Sequence, residues 1–210
     1  MDSSLPKKKQ ETTKQHIFDA ARKTFAEKGF AGARMDEIAR LAQVNKATIY
    51  YHIGDKRTLY EQILDDIFSN FADNLVQNDN ANASSEERLR IFVRTLASLI
   101  DRNADLAAIM LREQASGAKD FPEIVARDLL RIIRLITEIL DDGVKAGSFK
   151  QTTPVIVHLM AIGTLVFTKM SFPIRSKLAA QVAAFENIGN RLENEVAAEI
   201  EDLILDAVRK

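Results

Sequence analysis

The segment from Asn45 to Lys56, NKATIYYHIGDK, gathers the side chains of this 210-residue chain best suited to holding a polyanion. Lys46 can donate to guanine O6 or N7, Tyr50 can stack on sugars or thymine methyls, and Tyr51, His52 and Lys56 can donate to phosphate oxygens. Ile49 and Ile53 stand four apart, so a short helix here would anchor on that side and present Lys46, Ala47 and Tyr50 on the other. Singly, these residues have plainer uses. Tyr50 or Tyr51 serves equally as partial core, and His52 and His16 as surface or capping histidines.

Such a helix needs a platform. The punctuation of the chain by glycine and proline, with no stretch of strict two-residue alternation, predicts an all-α fold of about nine or ten helices. The spacing of Ile17, Ala21 and Phe25 predicts a first helix from about Thr12 to Lys28, packing across the next two through Phe25, Ile38 and Leu41. Helices at about 35–43 and 45–51 then meet at Gln43-Val44-Asn45, which makes a helix-turn-helix inside a three-helix unit. Asp55 is placed to cap the following helix and Ser84 to open another, after the polar loop QNDNANASS. The functional boundary falls near Gly54, dividing the chain into 1–54 and 55–210.

Composition narrows the function. The chain has no cysteine, hence no disulfide, thiol nucleophile or sulfur-ligated metal. Its three histidines form neither HExxH nor ExxH, and there is no G-x-S-x-G elbow or phosphate-binding GxxxxGK[ST] loop. An enzyme is not expected, nor is any cofactor or metal. The longest nearly apolar run, Pro154 to Phe167, is 14 residues against the roughly 20 of a membrane-spanning helix, and no leader pattern opens the chain, so a cytoplasmic protein is expected. The net charge of -1 hides an asymmetry: residues 1–60 carry 12 Lys+Arg and 7 Asp+Glu, the remainder 17 and 23. The positive charge lies where a polyanion would meet it.

The stretch AARKTFAEKGFAGARMDEIARLAQVNKATIYYHIGDKRTLY, Ala20 to Tyr60, resembles the DNA-binding domain of the TetR family of transcriptional regulators. Phe25, Ala26, Gly29, Phe30, Ile38-Ala39, Val44, Lys46, Thr48, Tyr50-Tyr51-His52, Lys56, Leu59 and Tyr60 carry the likeness. The resemblance implies a homodimer bound to a palindromic operator and released when a small molecule occupies the larger domain. It places the recognition helix on Asn45 to Tyr51, base-facing positions on Lys46, Ala47 and Tyr50 with Thr48 beside them, and phosphate contacts on Tyr51, His52 and Lys56. Three departures stand out. Ala33-Arg34 replaces the usual Thr or Ser at the start of the second helix, leaving Arg34 free to meet phosphate; Gln43 replaces a common turn glycine; Ile53 replaces an aromatic. A transcriptional activator of the same fold, or a helical interaction protein without DNA, is the alternative.

The larger part reads less sharply. Pro154 to Met170 is apolar nearly all round and asks for two partners; with the stripe Val196, Ile200, Leu203 and Ala207 it predicts a two-helix surface that pairs with a second copy as a four-helix bundle. Phe68, Phe71, Met110, Phe121, Met160, Phe167 and Met170 are candidate walls of a cavity for an apolar or amphipathic effector, though each is equally ordinary core filling. His158 and Thr164 are polar groups in apolar surroundings, His158 serving equally as a satisfied core histidine. Arg112-Glu113 reads as a pocket pair or a surface ion pair. Leu129, Ile133, Ile136 and Leu140 predict the buried stripe of the helix after Pro122, with Arg127, Arg131 and Arg134 on its solvated face. Asp142-Gly143 and Ala146-Gly147 mark its end at about Lys145, Thr153 caps the next helix, and a further helix runs through Leu178, Val182 and Phe185, ahead of a last one from Leu192.

Overall fold

The computed structural model describes residues 5–179, Gln181 and residues 196–210. These form ten helices: α1 (Leu5–Gly32), α2 (Met35–Leu41), α3 (Lys46–His52), α4 (Lys56–Asn78), α5 (Ser85–Arg102), α6 (Ala104–Ser116), α7 (Glu123–Lys145), α8 (Pro154–Met170), α9 (Phe172–Ala179) and α10 (Val196–Val208). The fold is all-α. Val182, Phe185 and Leu192 lie outside the described residues. Among the described residues no single helix is long and apolar enough to cross a membrane; α8 and α9 reach that length only together and are bent by 53°.

The chain divides into two compact units, Met1–Ser69 with Ala104–Ala126, and Asn70–Asn103 with Arg127–Lys210. Helices α4 and α7 each run from one unit into the other. In the first unit α1 begins at Leu5, earlier than the apolar stripe requires, because Lys, Gln and Glu favour helix without packing. At Gly29 its backbone leaves the helix, at φ +69°, a conformation glycine adopts without strain. The platform for α2 is narrower than expected. Met35, Ile38, Ala39 and Ala42 are buried at helical spacing, whereas Leu41 falls beside that stripe and stays 37% exposed.

In the second unit α5, α8 and α10 pack on one another around Leu89, Phe92, Leu96, Ala161, Leu165, Ile200 and Leu205. Four expectations about its helices are corrected. The inner side of α7 is Val125, Ile132, Leu135, Ile136, Ile139 and Leu140, so Leu129 and Ile133 sit at its edge. Arg127 and Arg131 are not simply solvated: both bond Asp128, which is fully buried, and Arg131 also reaches Asp73 at 2.6 Å. Burial alone would raise the Asp128 carboxyl, but these bonds hold it below the usual carboxylate range. Arg134 is exposed. Thr153 stands at the start of α8 without a side-chain cap bond, the missing N–H of Pro154 leaving one donor fewer to satisfy. The Val196 stripe of α10 is also displaced, since Ile200, Glu201, Ile204, Leu205 and Val208 face inward while Leu203 is 61% exposed.

Gly143 does not end α7 but lies within it, under the ring of buried Phe149. A Cβ there would stand 2.0 Å from Phe149 Cδ2, so only glycine lets that ring lie on the helix. Gly143→Ala is expected to lower stability by about 1–3 kcal/mol in urea denaturation, although alanine is the better helix former. A stabilised variant would refute this packing account.

Candidate nucleic-acid interface

Four orphan carbonyls end every helix, and α2 satisfies two of its own through a tight reversal. Gln43 N–H donates to Arg40 O at 3.3 Å and Val44 N–H to Ala39 O at 3.0 Å, which requires a left-handed residue at Gln43, found at φ +56°. Glycine would take this conformation freely; Gln43 takes it at a steric cost of roughly 1–2 kcal/mol. Asn45 then starts α3: its Oδ1 accepts from Thr48 N at 2.7 Å and from Thr48 Oγ1 at 2.9 Å. Asn45 and Thr48 are thus occupied in shaping the helix start.

The seven-residue α3 divides by face as its spacing predicts. Ile49 is buried, and Ile53 just beyond it also. Lys46, Ala47 and Tyr50 are exposed, Tyr51 is 82% exposed, and His52 is half-buried with its ring edge-on to Tyr51. Lys46 is not free: its ammonium lies 3.0 Å from the Asp36 carboxylate on α2. Both partners are well exposed, so the pair is worth at most about 1 kcal/mol and is readily exchanged for a base edge. Asp36 was not among the residues singled out, because a ten-residue separation across a turn carries no helical period. Arg34 is exposed just before α2 and makes no cap bond.

Lys56 sits differently from the rest. Its ammonium donates to the carbonyls of Phe30 (2.9 Å), Ala33 (3.2 Å) and Ala31 (3.5 Å), and lies 4.6 Å from the Phe30 ring centroid. It is the cap of the reversal that follows Gly29. Asp55 Oδ1 accepts from Thr58 N at 2.8 Å, which holds its carboxyl below the ordinary range and starts α4 as expected. Arg112 and Glu113 both line a cleft of about 350 Å³ in the first unit, the pocket alternative of the two, but each is bonded elsewhere. Arg112 donates to Ala26 O and Glu27 O, while buried Glu113 accepts from the Tyr60 hydroxyl at 2.7 Å. Burial, then that bond, push the Tyr60 phenol well up.

The effector candidates divide between the units. Phe68, Met110 and Phe121 belong to the first, Phe71, His158, Thr164 and Phe167 to the second. Phe68 and Phe71 are buried, and Met110 and Phe121 are half-buried. On α8, His158 is buried with its ring edge-on to Phe92 and its Nδ1 unbonded. Thr164 is exposed, its hydroxyl donating to Met160 O, and Phe167 and Met160 are exposed as well, with Met170 beside them. A cleft of about 400 Å³ does open in the second unit, but Leu165, Thr168 and Phe172 line it and none of the candidates does.

The family model of the N-terminal domain of bacterial regulatory proteins of the tetR family matches residues 17–63, and that of a tetracyclin repressor-like C-terminal domain matches residues 82–170. The negative transcriptional regulator IcaR of the biofilm operon icaADBC, from Staphylococcus epidermidis, is 28% identical over 129 residues, 61% of this chain and 65% of its own length. The transcriptional repressor NicS of Pseudomonas putida is 31% identical over 101 residues, 48% of either chain. The chain thus spans about half to two thirds of the curated relatives it matches. A tetR-family regulatory protein from Rhodococcus RHA1 shares the fold at a TM-score of 0.72 and 19% identity, over 94% of this chain and 97% of that one.

Burial of His158 lowers its pKa below the ordinary 6.5. The unfolded chain therefore takes the proton first as pH falls through 6.5, so this residue's stability contribution is whole above that value and declines below it. From pH 7.5 to 5.5 the wild type is expected to lose up to about 1.4 kcal/mol more than His158→Leu in urea denaturation. Equal losses in the two proteins would count against a neutral, buried imidazole.

Proposed function

This chain belongs to the tetR family of DNA-binding transcriptional regulators, and from that membership we propose that it is a cytoplasmic homodimeric repressor, released from a palindromic operator by a small apolar or amphipathic effector. The carrying observation is the division of α3: Ile49 locked into the platform, with Lys46, Ala47 and Tyr50 open to a major groove and Tyr51 at its side. The boundary of roles near residue 54 follows the same reading. Repression is favoured by the relatives, since both IcaR and NicS are named as negative regulators.

Lys46 exchanges Asp36 for a guanine edge in this reading, and Arg34, Tyr51 and His52 supply phosphate contacts. Lys56 orients the reversal after α1, its ammonium being engaged by three carbonyls. Dimerisation uses the outer face of α8, where Ile156, Leu159, Met160, Phe167 and Met170 are exposed, together with Leu203 of α10. Large neighbouring apolar side chains on a soluble chain mark an interaction surface. An effector that fits only a dimer with wrongly spaced recognition helices opposes operator binding by linkage, and a coupling of about 1–3 kcal/mol changes operator affinity roughly 5- to 150-fold.

An operator selected from randomised duplexes tests the interface. Lys46→Ala is expected to cost about 1–3 kcal/mol on the selected site and little on a scrambled one. Lys56→Met is expected to leave the salt slope of binding unchanged, while a decrease near 0.9 would reassign its ammonium to a phosphate. Selection that yields no preferred sequence overturns the reading.

Leu203 tests the dimer cleanly, because its exposure in the single chain lets a charge there leave the fold intact. Leu203→Glu is expected to sediment as a folded monomer at micromolar concentration, where the wild type sediments as a dimer. A dimeric variant removes α10 from the interface.

A further inference from the structure

The two acids in the first turn of α2 are committed differently. Glu37 is tied to Lys28 of α1 at 2.6 Å and fastens the platform. Asp36, 72% exposed, reaches across the turn instead, its Oδ1 and Oδ2 lying 3.0 and 3.1 Å from the ammonium of Lys46 at the start of α3. An acid at a helix start suits the dipole, which accounts for a negative charge there but not for its placement on the lysine of the open face. A surface that meets phosphates gains nothing from a bare carboxylate, which repels them.

When Lys46 gives its N–H groups to guanine O6 or N7, the base atom it touches lies within about 6 Å of Asp36, two hydrogen-bond lengths away. Asp36 has only two side-chain torsions and stands on a helix, so its carboxylate enters the groove with the lysine and loses both its partner and its water. There it needs a donor. The major-groove edges of guanine and thymine offer acceptors and a methyl group; the donors are the amino groups of cytosine and adenine. The base paired with guanine is cytosine. Its N4 lies one hydrogen-bond length from guanine O6 and keeps one N–H for the groove. Ammonium, O6, N4 and carboxylate then alternate as donor and acceptor around a ring with sides of about 3 Å.

We propose that Asp36 is a specificity-determining residue of the DNA interface: its carboxylate accepts from the N4 amino group of the cytosine paired with the guanine that Lys46 reads, and it rejects a base pair with no amino group there. The inference rests on the reading of α3 as the helix that enters the major groove.

Affinity of the full-length protein for its selected operator tests this, with each cytosine replaced in turn by pyrimidin-2-one, which still pairs with guanine and lacks only the amino group. At one cytosine per bound chain the replacement is expected to cost the wild type at least about 5-fold more than it costs Asp36→Ala, the worth of a hydrogen bond to a charged group. Any general weakening of the duplex affects both proteins alike and drops out of the comparison. That cytosine is expected to lie in the base pair at which Lys46→Ala has lost its discrimination. If Asp36→Ala fails to fold, Asp36→Asn takes its place and is expected to narrow the cost in the same sense, because a neutral amide oxygen accepts more weakly than a carboxylate. Equal costs in wild type and variant at every cytosine overturn the inference, and so does a difference confined to a base pair that Lys46→Ala still discriminates; operator binding through α3 stands in either case. Selection that yields no preferred sequence overturns both.

Discussion

The end of α1 is the constraint on which the DNA-facing part depends. A helix that breaks at Gly29 leaves carbonyls with no partner inside it, and in this chain two cations from elsewhere in the same unit take them up. Arg112 of α6 takes Ala26 O and Glu27 O before the break; Lys56 at the start of α4 takes Phe30, Ala31 and Ala33 after it. Phe25, Phe30 and Tyr60 fill the space between, with ring centroids 4.8 to 6.3 Å apart. Charge-assisted bonds to carbonyls are worth about 1.5–3 kcal/mol each when partly buried, several times a surface ion pair. The position of α2, and through it α3, follows from where α1 stops. Lys28 to Glu37, at 2.6 Å, adds a lesser tie between α1 and α2.

How much of this was legible depends on whether the cause was local. The division of α3 and the Asp55-to-Thr58 start follow from residues within three or four positions of one another, and sequence spacing reaches that far; Asn45 and Thr48 read as DNA contacts rather than as a helix start, and Gln43 as a turn-glycine position only through the family resemblance. Lys56 and Arg112 were legible as cations but not as caps, because their carbonyls lie 23 to 26 and 85 to 86 residues away. A carbonyl is also anonymous in a sequence: every residue has one. Gly143 was misread for a related reason, since a glycine kept for the approach of Phe149 looks like one kept for a turn.

The second unit misled through its charges. Arginines at helical spacing on α7 resemble a solvated face, yet Arg127 and Arg131 serve Asp128, a carboxylate enclosed at the helix edge. The same device recurs where Arg90 and Arg94 of α5 hold buried Glu201 of α10, and its inverse where Asp79 and Asp142 hold buried Arg88. An unpaired buried charge is expensive, so each of these seams fixes one register between its elements rather than adding much net stability. Leu203 is left outside for this reason. With Glu201 committed to the arginines of α5, the helical period turns Leu203 away from them.

That outward turn connects the second unit to the demands of a duplex. One α3 of seven residues offers three or four base-facing side chains, and a good base contact is worth about 1–3 kcal/mol. Discrimination of a regulatory site from bulk DNA requires about 4–10 kcal/mol, near or beyond what one such helix supplies with Ala47 and Tyr50 among its few readers. Two copies double the readout and add a spacing requirement, the two helices lying about one turn of duplex apart, roughly 34 Å. The all-round apolar character of α8 is then understandable. Its inner side, Val157, Ala161 and Leu165, closes the core of its own chain, and its outer side, with Ile156, Leu159 and Phe167 exposed, is the surface on which the proposed pairing with a second copy rests.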